Sequence, residues 1–93
     1  MTDNIRNDEQ TARWVLEIDG VVASALMYND NGKTVSMTST FTNPKFRGQG
    51  FAGQLTAAAV ADADARGRKV RAMCSYVADW FEKHPEKAEL LAG

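Results

Sequence analysis

The chain has 93 residues, of which 44% are hydrophobic and 25% are charged, and its formal net charge is −1 at pH 7. This length predicts one domain, and the nearly neutral charge argues against a protein that binds nucleic acid through a basic surface. No apolar run approaches the roughly 20 residues that span a bilayer, so no membrane segment is predicted.

The first half of the chain predicts three antiparallel strands. Residues 1–10 are polar and predict a flexible N-terminus, which leaves a single domain over 11–93. The predicted strands are TARWVLEI (11–18), VVASALMY (21–28) and TVSMTSTFT (34–42). Asp19 and Gly20 separate the first two strands, and this dipeptide favours a tight type I′ hairpin. In the third strand, alternation predicts that one face is shared by Val35, Met37, Ser39 and Phe41.

The second half predicts helices around one further strand. From Gly50 to Arg66 the apolar residues follow helical spacing, and Gly67 supplies a stop. A strand (69–74), a helix (75–84) and a short terminal helix that docks Leu90 and Leu91 are predicted to follow. The element order βββαβα predicts a compact α+β fold, with a three-stranded antiparallel meander, a glycine-rich loop and helix, a further strand and C-terminal helices.

The loop between the meander and the first helix carries the most specific signal. It reads NPKFRGQGFAGQL (43–55), and a glycine-rich turn before a helix N-terminus is typical of phosphate-binding sites. No G-K-[ST] follows, so the loop is not a P-loop. Gly48, Gly50 and Gly53 match the spacing of the dinucleotide fingerprint, but that motif needs a parallel βαβ unit, and an antiparallel meander precedes the loop here.

At these residues the chain resembles a known family. RGQGFA (47–52) fits R-x-x-G-x-A, the pyrophosphate motif of the GNAT superfamily of acyl-CoA-dependent N-acetyltransferases. Together with CSYV (74–77) and HPE (84–86), it makes the chain similar to the very small single-domain members of that superfamily over about residues 11–90. The resemblance implies a GNAT-like fold, acetyl-CoA or coenzyme A as the cofactor, and acetyl transfer to an unidentified amine on a protein, a peptide or a small molecule.

The resemblance also implies roles for individual residues. Backbone N–H groups from about Phe46 to Ala52 would hold the pyrophosphate, and the strand segment 38–42 would pair with the pantetheine arm. Cys74 would lie near the sulfur. The implied cofactor-binding residues are Thr40, Phe41, Thr42, Phe46, Arg47, Gly48, Gln49, Gly50, Phe51, Ala52 and Cys74, and the implied catalytic residues are Cys74 and Tyr76.

Two departures from the family pattern bear on catalysis. Ser39 stands where members of this small family often carry a histidine that could serve as a base, and Ala72 stands where a proline is common. Neither departure touches the cofactor loop. An alternative is therefore a non-catalytic acyl-CoA-binding module. A third hypothesis is a small interaction domain whose glycines only shape a turn.

Several residues keep more than one interpretation. Cys74 is a transient acyl carrier, a hydrogen-bond partner of the departing thiolate, or a small buried side chain. Tyr76 is a proton donor to that thiolate or an ordinary packing residue, and His84 is most simply a helix-end residue. The basic cluster either contacts the 3′-phosphate of coenzyme A or is a solvated helix end, and it comprises Arg66, Arg68, Lys69 and Arg71.

Location and partners follow from what the sequence lacks. With a single cysteine and no signal-peptide core at the N-terminus, the chain is expected to be cytoplasmic, without a disulfide and without a metal site. Nucleic acid is not an expected partner, because no aromatic residues interleave the short basic cluster. Asp19 and Gly20 join strands that helices separate in larger relatives, so the acceptor side is expected to be open to an amine acceptor or a protein partner.

Overall fold

One mixed sheet of five strands, with two helices on one face, forms the described part of the chain. The computed structural model describes residues 4–92. Its elements are β1 (Ile5–Asp8), β2 (Arg13–Ile18), β3 (Val21–Asp30), β4 (Thr34–Thr42), α1 (Phe51–Ala65), β5 (Lys69–Ala72) and α2 (Ser75–Lys83). The strands lie in the sheet in chain order, antiparallel from β1 to β4 and parallel between β4 and β5. The predicted α+β class is confirmed.

The first strand corrects the expectation of a flexible segment over residues 1–10. β1 pairs antiparallel with β2, with Ile5 opposite Leu16. Ile5 packs against the apolar cluster around Leu16, and the Tyr28 hydroxyl donates to Asn7 Oδ1 at 2.7 Å. These tertiary contacts order Ile5–Asp8. The part of that prediction that concerns residues 1–3 lies outside the described residues.

The hairpin between β2 and β3 has the predicted geometry. Asp19 and Gly20 have φ angles of 51° and 80°, the left-handed values that both central positions of a type I′ turn require. A turn of this type matches the right-handed twist of the strands that it joins. The direct connection leaves no room for a helix between these two strands.

The core lies between the sheet and the two helices. α2 buries Val77, Trp80 and Phe81, whose i, i+3, i+4 spacing places them on one helical face. They pack in one cluster with α1 and with the inward-facing residues of the sheet, which include Leu26, Val35, Met37, Ala59, Val60, Ala63 and Val70. Within residues 4–92, no helix is long and apolar enough to cross a membrane.

The C-terminal segment closes the edge of β5. Residues Pro85–Leu90 form a 3-10 helix, and Leu90 and Leu91 pack against the main core cluster, as predicted. Ala92 N–H donates to the Val70 carbonyl at 2.8 Å, which partly covers the outer edge of the sheet. The C-terminal residues thereby hold β5, which follows α1 and pairs with β4, at the edge of the sheet.

Candidate functional site

The glycine-rich loop begins with a short turn that ties it to the sheet. Asn43 caps the turn Pro44–Phe46, because its side chain accepts a hydrogen bond from Lys45 N–H, and its own N–H donates to the Ala23 carbonyl at 2.8 Å. Phe46 N–H is committed to the Asn43 carbonyl at 2.8 Å. The sequence led us to expect that Phe46 N–H would contact a ligand, but this N–H is already used within the turn. Phe46 lines a cavity instead.

Past this turn, the chain presents a continuous run of unused backbone donors. In the described structure, no backbone N–H from Gly48 to Gly53 has an acceptor within the chain, and Gln54 N–H makes the first helical bond, to the Gly50 carbonyl. Gly50 is the N-cap of α1 and carries no side chain that could cap these donors. Unpaired donors at a helix N-terminus, where the helix dipole is positive, form a site for an anion.

The glycines shape the space above these donors. Gly48 and Gly50 have φ angles of 79° and 76°, and a Cβ atom built on either residue meets no atom within 4 Å. The backbone therefore needs glycine for its conformation, and the open space in front of it is available to a ligand. A cavity of about 380 Å³ lies here, lined by Thr42, Phe46, Arg47, Gly48, Gly50, Phe51, Ala52 and Tyr76.

Seven of the predicted cofactor residues thus meet at one cavity through their side chains or backbone. Arg47 is exposed, and no carboxylate of the described residues lies within salt-bridge distance of its guanidinium. Gln49 is exposed in the same loop and does not line the cavity, although its N–H belongs to the run of free donors. The arrangement offers backbone N–H groups and one cation to a bound phosphate group.

A second feature, the splay between β4 and β5, opens beside the cavity. β5 pairs only with the segment Thr34–Met37 of β4. The chain then leaves the ladder, since Met73 N–H and Cys74 N–H both donate to the Met37 carbonyl at 3.1 Å. From Thr38 onward, β4 has no neighbour on this side, so its edge is free to pair with an extended ligand.

A β-bulge decides which side chains of β4 face the splay. The register of β3 and β4 shifts so that Met27 lies opposite Ser39 and Tyr28 lies opposite Met37, which makes Thr38 the extra residue. A bulge of one residue turns every later side chain to the other face. The predicted shared face therefore ends at Met37: Thr40 faces the helices and Phe41 faces away from them, 46% exposed.

Cys74 lies where the splay meets α2. It is the N-cap of α2, and its Sγ lies 3.8 Å from Thr40 Oγ1. Partial burial raises the pKa of the Cys74 thiol, but hydrogen bonds outweigh burial, so the pKa lies below its ordinary value. The donors responsible are the N–H of Val77, the hydroxyl of Thr40 and the N–H groups of Tyr76 and Thr40, of which the Thr40 hydroxyl lies at hydrogen-bond distance from the sulfur. Donors that favour the charged form in this way are expected around a reactive thiol.

The Thr40 hydroxyl is expected to contribute to the acidity of Cys74. Thr40→Val removes one donor and keeps the shape of the side chain, so the pKa of the thiol should rise. The rate of alkylation by iodoacetamide, followed by mass spectrometry across a pH series, should then reach half its plateau at a higher pH than in the parent. Thr38→Val is the matched control, since the Thr38 hydroxyl bonds to the Met27 carbonyl. An unchanged profile for Thr40→Val would remove this residue from the thiol environment.

Tyr76 lies near Cys74 in the first turn of α2, whereas His84 lies at the C-terminal end of that helix. Tyr76 lines the same cavity as the loop, and its hydroxyl is 3.4 Å from the position of a Cβ on Gly53, in the first turn of α1. His84 ends α2: its ring stacks on Trp80 at 4.0 Å, and its Nδ1 lies 2.7 Å from the Trp80 carbonyl. The structure therefore agrees with the helix-end interpretation of His84. The close approach of Tyr76 to Gly53 had no signal in the sequence.

Arg66 and Arg68, the first two residues of the basic cluster, lie at the far end of α1, whereas Lys69 and Arg71 lie on β5. This helix of 15 residues separates Arg66 and Arg68 from the loop by about 20 Å. Arg66 pairs with Asp62 at 3.1 Å and with Glu9 at 3.6 Å, and Arg68 pairs with Asp30. A cavity of about 450 Å³ beside these pairs is lined by groups that already neutralise one another. These facts favour a paired, solvated helix end over a contact for the 3′-phosphate.

Comparisons with known proteins agree with this geometry. Residues 13–90 match the model of a family described as GCN5-related N-acetyl-transferase. The fold is similar to the solution structure of a candidate GCN5-like N-acetyltransferase from Staphylococcus aureus, with a TM-score of 0.73 and 22% identity, covering 100% of this chain and 92% of that one. Comparison with curated protein sequences finds no match. Because the family model covers most of the sequence, and the fold agrees with it, the chain belongs to the GCN5-related N-acetyltransferase family.

Proposed function

We propose that this chain binds acetyl-CoA and transfers its acetyl group to an amine. One observation carries the proposal: the run of free backbone N–H groups from Gly48 to Gly53, four of whose residues line an open cavity. Acetyl-CoA is the acyl donor that the family generally uses. Its pyrophosphate is an anion of the kind that such a run of donors binds at a helix N-terminus.

Three parts of the structure fit acetyl-CoA as the acyl donor. The glycine loop offers backbone donors without Cβ atoms in the way, and Arg47 adds a charge that can fix a phosphate. The unpaired edge of β4 from Thr38 to Thr42 can pair with the amide groups of the pantetheine arm. Cys74 and Thr40 then mark the place where the thioester would lie.

The chemistry needs three things from the protein. The thioester carbonyl must be polarised, the amine must reach it in the neutral form, and the departing sulfur must gain a proton. Backbone N–H groups at the edge of β4 beyond Met37, where β5 no longer pairs, can polarise the carbonyl without any side chain. Cys74 supplies an acidic thiol beside the same edge, either as a transient acyl carrier or as a hydrogen-bond partner of the sulfur.

Tyr76 is our proposed proton donor for the departing sulfur, because it lies in the first turn of α2 and lines the same cavity as the glycine-rich loop. We expect Tyr76→Phe, which removes only the hydroxyl, to lower kcat by about 10- to 100-fold with little change in the Kd for acetyl-CoA. Steady-state kinetics and calorimetry on the same preparation measure both quantities. Tyr28→Phe is the control, since that hydroxyl bonds to Asn7 in the sheet. A weaker Kd with unchanged kcat would instead assign the Tyr76 hydroxyl to the phosphate site that it borders.

A second candidate function is an acyl-CoA-binding module without turnover. It is favoured by the surroundings of Cys74: within residues 4–92, no histidine or carboxylate side chain hydrogen-bonds to the thiol, and Ser39 is exposed on the strand before the loop. His84 lies at the other end of α2. A site of this kind would hold the cofactor well and would leave the deprotonation of the amine to solvent.

The function is tested by titrating the protein with acetyl-CoA and with S-acetylpantetheine, which lacks the pyrophosphate. We expect micromolar binding of acetyl-CoA and binding of the shorter compound that is weaker by about 100-fold or more, since two or more charge-assisted hydrogen bonds are lost. No binding of acetyl-CoA at millimolar concentration would overturn both candidate functions. Release of free thiol in the presence of pooled amines then separates the enzyme from the binding module.

A further inference from the structure

The face of the sheet opposite the helices carries a second layer of side chains. Both helices pack in one cluster with the inward-facing side chains of the sheet, and they also contact each other. Val15 and Ala25 point to the other face and belong to neither of the clusters that the helices join. Both are nonetheless buried, at 0% and 2% exposure, and we call this second layer, which neither helix joins, the open face.

Two rows of side chains cross the open face and end at the splay. The strand register aligns Arg6, Val15, Ala25 and Phe41 in one row, and Asp8, Arg13, Met27 and Ser39 in the next. Each row ends on β4 beyond Met37, where β5 no longer pairs. Phe41, at the end of its row, is 46% exposed. The open face therefore leads to the edge where Thr40 and Cys74 meet, from the side opposite the cavity.

The charges of the open face do not balance. Arg6 bridges both acids of the face, Glu17 at 3.3 Å and Asp8 at 3.9 Å. Arg13 and Arg71 have no carboxylate of the described residues within 4 Å, and Arg13 Nε is buried without any hydrogen-bond partner. Arg71 is exposed on β5, opposite Ser36 and one residue before that strand ends at the splay. With three arginines against two acids, the open face carries one excess positive charge, and Arg71 lies beside the approach to the reaction centre.

We propose that the open face binds the acceptor, and that the acceptor is a peptide segment whose amine is flanked by acidic side chains. This inference rests on the proposed acetyl transfer. A C–N bond forms at the acetyl carbon, the C–S bond breaks, the amine loses one proton and the sulfur leaves as coenzyme A thiol with one proton gained. Carboxylates of the acceptor pair with Arg13 and Arg71, and an apolar side chain covers Phe41. A segment rich in lysine meets like charge there and is disfavoured.

Matched peptides test this inference. Each carries a blocked N-terminus and one lysine, flanked by glutamates, serines or arginines, and acetylation is followed by mass spectrometry with acetyl-CoA. We expect kcat/KM for the glutamate peptide to exceed that for the arginine peptide by about 10-fold or more, with the difference shrinking as salt rises. Arg71→Glu should reverse or abolish the preference. Lys83→Glu, the same change of charge at the end of α2, should leave it intact.

The outcomes separate this inference from the function on which it rests. Equal or opposite preference among the peptides, or an Arg71→Glu variant with the parent's preference, overturns the acidic acceptor. If acetyl-CoA binds and no peptide is acetylated, the acidic acceptor is likewise overturned while cofactor binding stands. If acetyl-CoA does not bind, the proposed function fails and the inference fails with it. Arg13→Gln tests the other arginine of the proposed site. It should reduce the ratio of kcat/KM between the glutamate and arginine peptides without reversing it.

Discussion

Gly50→Val should lower the affinity for acetyl-CoA by about 100-fold or more while the protein still folds, because two or more hydrogen bonds to a charged phosphate are lost. Gly50 holds a φ angle of 76°, and β-branched residues rarely adopt such a value. The backbone would turn away to relieve the strain, and the valine side chain would enter the open space in front of the donors. Calorimetric titration with acetyl-CoA measures the loss.

A matched control separates this effect from a general loss of stability. Gly32 lies in the turn between β3 and β4, has a φ angle of 90°, and likewise has no atom within 4 Å of a Cβ position. Gly32→Val should therefore cost a similar free energy of unfolding, about 1–3 kcal/mol for one strained residue, and should bind acetyl-CoA like the parent. If Gly50→Val also bound like the parent, the glycine loop would be only a turn, and the cradle proposed for the pyrophosphate would be wrong.

The parts of the fold that the sequence predicted correctly depend on local interactions. The Asp19–Gly20 hairpin follows from the backbone angles that these two residues tolerate, and α1 follows from helical spacing that begins at the glycine loop. The loop itself could be identified as a phosphate site because its signal is local as well. Gly50 leaves the helix N-terminus without a side-chain cap, and the donors of the first turn remain unpaired for that reason.

The parts that could not be predicted depend on partners distant in sequence. β1 has one apolar residue, Ile5, and becomes a strand because it packs beside Leu16 and because Asn7 accepts a bond from Tyr28. Within the basic cluster, Arg66 pairs with Glu9 and Arg68 pairs with Asp30, and only the folded chain brings these acids to them. Periodicity along a single segment contains no information about such contacts.

The bulge at Thr38 is the most consequential feature that the sequence did not predict. Alternation through the polar stretch SMTSTFT gives no sign of an extra residue, since any of its threonines and serines is acceptable on either face. The extra residue turns Thr40 toward Cys74 and turns Phe41 onto the open face. One irregularity of the backbone therefore places both the hydroxyl beside the thiol and the aromatic residue at the approach of the acceptor.

Cys74→Ala should lower the rate of acetyl transfer by about 100-fold or more, with little change in the Kd for acetyl-CoA, since the phosphate donors lie in another element. The thiol stands at the mouth of the splay, and hydrogen bonds hold its pKa below the ordinary value. For the same reason, the rate for the parent should rise with pH as the thiolate forms and should level off below the ordinary thiol range. Removing the Thr40 hydroxyl should move that rise to higher pH.

Cys74→Ser decides between the two functional roles of the thiol. A serine hydroxyl can still hydrogen-bond to the departing sulfur, but it remains protonated and is a poor nucleophile without an adjacent base. We expect Cys74→Ser to be as slow as Cys74→Ala, and the parent incubated with acetyl-CoA alone to gain the mass of one acetyl group on Cys74. If Cys74→Ser instead transferred acetyl groups at the rate of the parent, Cys74 would act as a hydrogen-bond partner of the departing sulfur. Parent-like rates for both variants would reduce Cys74 to a packing residue, and the free edge of β4 would then be the remaining source of catalysis at the splay.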